Sequence, residues 1–152
     1  MPRNRQLLCL GYAAVAVLAF AGTWSQNVFY LPPGQGPLTG FLTATARFWP
    51  DTLATPASVS ITVDIALFTL AASVFLVREG RRLQMRLPWL YVILGLLVAI
   101  SVTFPLFLIA REWRLTRGGD AAREPGLTRN DAIGFTVFGL ATAIFSLWTI
   151  WR

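Results

Sequence analysis

Four stretches of this chain run almost free of polar side chains: Leu7–Trp24, Ala57–Val77, Pro88–Ala110 and Ala132–Trp151. Each approaches the ~20 apolar residues a helix needs to cross a hydrocarbon core. None alternates in steps of two, as a membrane β-strand does. Backbone N–H and C=O groups find no water in lipid, so the pattern predicts helices. The expected fold is all-α: one domain over residues 1–152, a polytopic bundle of four transmembrane helices.

The segments between these runs refine the picture. Arg3, Arg5, the apolar run and Ala19-Phe20-Ala21 imitate a cleavable secretory signal, but the run continues to the interfacial Trp24 and is read as helix 1. Ser25–Pro56 forms a long aromatic outer loop, with Phe29, Tyr30, Phe41, Phe48 and Trp49 among Pro32, Pro33, Gly34, Gly36 and Pro37. Within it, Leu38–Phe48 is expected to form a short surface helix ended by Pro50. Pro88 suits a first helical turn, whereas Pro105 should kink the third span. Gly118, Gly119, Pro125 and Gly126 mark a polar linker, and Thr128 with Asp131 resembles a cap for the last helix.

Composition agrees with a lipid environment. The chain is 55% hydrophobic and 13% charged, with a mean hydropathy of +0.59, too apolar for an ordinary soluble domain. Its net charge of +6 comes from arginines that flank the spans, so anionic lipid headgroups are the expected counterions and nucleic acid is not. A single cysteine, Cys9, and the lack of histidine leave no internal disulfide and no soft metal site; no cofactor is expected. Arg3, Arg5, Arg78, Arg81, Arg82 and Arg86 place both termini of an inner-membrane, multi-pass protein in the cytoplasm. Arg111, Arg114, Arg117, Arg123 and Arg129 then fall on the wrong side, a conflict the sequence does not resolve.

Asp64 is the only carboxylate inside any of the four runs. An Asp near the middle of a membrane helix is unfavourable by roughly 2.5–3.5 kcal/mol, so it should face inward and have a partner. Ser60 and Phe68 share its face, beside Ala57, Ile61, Leu67 and Ala71, and that face is expected to pack into the bundle. Two readings stand. In the first, Asp64 serves packing, through a hydrogen bond to Thr103, Tyr12, Asn27 or Gln26. Alternatively it acts as a catalytic proton donor to a hydrophobic small-molecule substrate. In that case Ser60, Phe68, Trp24, Asn27, Trp49, Trp89, Thr103 and Phe104 are the expected substrate-binding residues. Glu79, Arg81 and Arg82 would bind a phosphate-bearing headgroup.

The intramembrane Asp64, the junction Glu79-Gly80-Arg81-Arg82 and the block Pro105-Leu106-Phe107-Leu108 ending in Arg111-Glu112 resemble small bacterial integral membrane proteins of the family domain of unknown function 2834. The resemblance covers roughly Phe41–Glu112; helix 1 shares only its hydrophobicity, and helix 4 looks like an extension. It implies an architecture and no reaction. From the residues, the expected function is intramembrane handling of a lipid or isoprenoid, with acid-initiated cyclisation or isomerisation as its enzymatic form. The alternative is a non-catalytic accessory or assembly subunit, or a small proton-linked transporter, acting as a homo-oligomer or with a membrane protein partner.

Overall fold

The computed structural model describes residues 2–118 and 129–151, and every regular element among them is helical. The order is α1 (Arg3–Asn27), a short 3-10 turn (Val28–Tyr30), α2 (Pro37–Thr52), α3 (Pro56–Arg82), α4 (Pro88–Leu97), α5 (Ile100–Gly118) and α6 (Arg129–Trp151). The expected polar linker of residues 119–128, with the Thr128 cap, lies outside the described residues.

Local sequence explains the boundaries. Inside α1 the hydroxyls of Thr23 and Ser25 donate back to the carbonyls of Ala19 (2.8 Å) and Gly22 (3.0 Å), which satisfies them within an apolar helix. α3 opens with a reciprocal cap, Thr55 Oγ1 accepting from the Ser58 N–H and Ser58 Oγ accepting from the Thr55 N–H, with Pro56 in the first turn. It ends in a Schellman arrangement: the N–H of Met85 donates to the Gly80 carbonyl (2.8 Å) and that of Gln84 to the Arg81 carbonyl (3.0 Å). Gln84 takes the left-handed conformation this stop requires, at φ 51°. In the outer loop α2 extends beyond the expected short helix, and Pro50 occupies its last turn instead of ending it. Thr62 Oγ1 donates to the Thr52 carbonyl (3.1 Å) and ties α2 to α3.

The third apolar run is not one span. It breaks at Val98–Ala99, and α4 and α5 fold back on each other, whereas α5 runs on through the buried Pro105. Three contacts fix this. Pro88 sits against Gly80, the rings of Tyr91 and Phe107 lie 5.3 Å apart, and Gly95 faces Thr103 and Ile100. In a straight helix Tyr91 and Phe107 would be about 24 Å apart. Glycine makes both close approaches possible: a Cβ on Gly80 would lie 2.5 Å from Pro88 Cβ, and one on Gly95 would lie 2.9 Å from Thr103 Oγ1. The expected single helix over 88–110 is therefore corrected to a hairpin whose first arm, α4, is about 15 Å long.

Directions follow from side-chain pairs. α5 runs parallel to α3, because Phe68 meets Phe104, Phe75 meets Phe107 and Glu79 meets Arg111. It runs antiparallel to α1, where Arg5 meets Glu112 at one end and Ala16 and Phe20 meet Val102 and Leu106 further along. The start of α1 and the ends of α3 and α5 thus share one end of the bundle. The core is small and lies where the hairpin meets α3: Ala72, Leu76, Val92, Ile100 and Phe107. Most other large apolar side chains are exposed, among them Val17, Ile61, Leu67, Leu96 and Phe138. Two helices, Arg3–Tyr30 with its 3-10 turn and Pro56–Arg82, are long and apolar enough to cross a membrane.

Candidate functional site

Asp64 does not face the bundle. It is exposed on α3, and so are Ser60, Ala57, Ile61, Leu67, Phe68 and Ala71, the face expected to pack inward. The packed side of α3 is instead the line Ala72, Leu76 and Gly80. The small Ala72 and Gly80 let the hairpin approach α3 there, and Leu76 between them fills the core. Among the described residues Asp64 has no hydrogen-bond or ion-pair partner. Thr103, one of its expected partners, is buried and its hydroxyl donates to the Ala99 carbonyl (3.4 Å), next to the hairpin turn. Ile100 and Asp64 each precede by one turn the rings Phe104 and Phe68 that touch at 6.3 Å, so Asp64 lies level with that turn.

The expected substrate-binding residues do not converge on one pocket. Phe68 and Phe104 meet, and Phe104 also meets Phe75 at 5.9 Å. Trp24 stacks on Phe20 at 5.9 Å with its buried Nε1 unpaired among the described residues. Asn27 ends the same helix, and Trp49, exposed, lies on α2 with its edge toward Phe48. Trp89 is exposed near the start of α4, at the opposite end of the bundle from Trp24. An open apolar groove of about 360 Å³ runs between α1 and α5, lined by Ala13, Ala16, Val17, Phe20, Ala21, Val102 and Leu106, and it does not reach Asp64.

The best-built polar feature is at the other end. Glu112, 4% exposed, accepts from Arg5 Nη1 (2.6 Å) and Arg111 Nη1 (3.0 Å). Arg111 Nε reaches Glu79 Oε1 (2.7 Å), and Glu79 also accepts from Arg82 Nε (2.7 Å) and Nη2 (2.6 Å). One chain of charge-assisted bonds thus fastens α1, α3 and α5 together. Of the expected headgroup residues, Glu79 and Arg82 are engaged in this chain, while Arg81 is exposed. Arg5, Arg111 and Glu112 were missed as a site. The signal lay in the junction Glu79-Gly80-Arg81-Arg82 and the pair Arg111-Glu112, whose acids and bases bond to one another across the fold.

No curated protein and no solved structure matches this chain. A family described as "Protein of unknown function DUF2834" matches residues 12–113, more than half of the chain. The match takes in most of α1, more than the sequence resemblance covered, and it includes Asp64, Glu79, Arg111 and Glu112. It stops before α6, the helix read as an extension. The chain belongs to the DUF2834 family.

Proposed function

We propose that this chain is a multi-pass protein of the bacterial inner membrane that acts as a non-catalytic accessory or assembly subunit, receiving a partner's transmembrane helix on the Asp64 face of α3. The observation that carries the reading is the position of Asp64: an exposed acid, unpaired among the described residues, on a face it shares with Ser60, Ile61, Leu67 and Phe68. About 12 Å in from Pro56, water is remote and the charged form is unfavourable against lipid. A neighbouring helix with a basic or hydrogen-bond-donating side chain at that depth relieves the penalty. A second copy arranged symmetrically would set Asp64 against Asp64, so charge complementarity favours a different protein.

The acid-initiated reading requires a pocket that encloses a substrate between the carboxyl and aromatic faces. Exposure of Asp64 and half-exposure of Phe68 favour docking over that chemistry.

The test is site-specific photo-crosslinking in native membranes, with the photoreactive residue at Leu67 beside Asp64 or at Leu140 on α6. A protein adduct of defined mass at Leu67, lost with Asp64→Leu, supports docking. Lipid adducts alone, an adduct of twice the chain mass, or one that survives Asp64→Leu would each sink it.

A further inference from the structure

We infer that the charged end of the bundle is a binding surface for the anionic phospholipid headgroups of one membrane leaflet. Both carboxylates described at this end, Glu79 and Glu112, are occupied by Arg5, Arg82 and Arg111 and are largely withdrawn from the surface. Around them Arg3, Arg78, Arg81, Arg86, Arg114 and Arg117 are all exposed, and none has a carboxylate partner among the described residues. Among the described residues, what faces outward is therefore cationic, not mixed.

The fold gathers these arginines into one zone. Because α4 and α5 form a hairpin, the end of α5 that carries Arg111, Arg114 and Arg117 lies at the end of α3 that carries Arg78 and Arg81, and the Arg5–Glu112 bond brings the start of α1 to the same end. A straight third helix would have divided them between two surfaces. The zone also borders apolar surface: Leu87, Trp89 and Leu90 are exposed where α4 begins, and Trp113 is exposed on α5 with the Arg117 guanidinium 6.0 Å from its ring centre. Guanidinium forks above exposed Trp and Leu match a phosphate layer lying over hydrocarbon. A soluble polyanion would meet the arginines but leave the adjoining apolar surface uncovered.

This inference shares with the proposed function only the placement of the helices in a bilayer, and it concerns the end of the molecule away from Asp64. The full chain is reconstituted in vesicles of equal parts phosphatidylglycerol and phosphatidylcholine and extracted in mild detergent, and the retained lipids are measured by mass spectrometry. Phosphatidylglycerol should be enriched, and the enrichment should fall as salt rises. The combined variant Arg78→Gln, Arg81→Gln, Arg114→Gln and Arg117→Gln should lose it, by up to about five-fold per arginine. Arg47→Gln on α2 should retain it. Equal retention of the two lipids, enrichment insensitive to salt, or enrichment that survives in a folded fourfold variant overturns the inference. Failure of the chain to enter vesicles at all overturns the membrane placement as well.

Discussion

Replacing Glu112 by Gln tests whether the charged end holds the bundle together. The change keeps shape and removes one negative charge from a side chain 5% exposed, leaving Arg5 and Arg111, at 15% and 17%, with less compensation. Removing one partner of a fully buried pair costs about 3–5 kcal/mol. Here Arg111 keeps its bond to Glu79, and Arg5, in the first turns of α1, can turn toward solvent. The expected loss is therefore smaller, about 2 kcal/mol, with α1 loosening first. The assay is reversible unfolding of the full chain in mixed micelles, run as a double-mutant cycle with Arg5→Gln. A coupling energy of about 1 kcal/mol or more is expected. If Glu112→Gln behaves like an exposed substitution, within about 0.5 kcal/mol of the parent, the clamp is not holding the helices and the reasoning fails.

Three further outcomes follow from the geometry. Gly80→Ala should destabilise the fold by about 1–3 kcal/mol despite alanine's better helix propensity, because its Cβ meets the rigid Pro88 ring at 2.5 Å; thermal unfolding measures it. Gln84→Gly should raise the unfolding midpoint, by about 1 kcal/mol of stability, since the left-handed residue of the α3 stop then carries no side chain. Reporter fusions should place a tag after Arg152 across the membrane from a tag before Met1. α5 ends at the end of the bundle where α1 starts, so with α1, α3 and α6 as the proposed crossings the two termini fall on opposite sides; tags on one side would refute that arrangement.

Much of the helical content was legible because long apolar runs have little choice in lipid: α1 and α3 appear close to where the pattern put them. The hairpin was not. A run of apolar residues reads alike whether straight or folded back, and the deciding positions, Gly80 and Gly95, show only that a close approach is permitted. Pro105 drew attention to the wrong place, since the break comes at Val98–Ala99. The direction of Asp64 was misread for a related reason. Expecting an acid to point inward takes the chain as complete in itself, whereas Ala72, Leu76 and Gly80 decide which side of α3 packs. The hairpin also bears on the charge conflict of the sequence: the Glu79–Arg111 bond sets the end of α5, with Arg111, Arg114 and Arg117, at the same end of the bundle as Arg78, Arg81 and Arg82.

The turn at Val98–Ala99 differs from an ordinary connection in what it tolerates. Most interhelical loops open on water and accept extra residues; in the proposed membrane placement this one closes within the bilayer, beside the buried Ile100 and Thr103, where an added peptide group would lack a hydrogen-bond partner. Length variation among relatives should consequently accumulate in residues 83–87 and in the outer segment before α2, and be absent from the vertex.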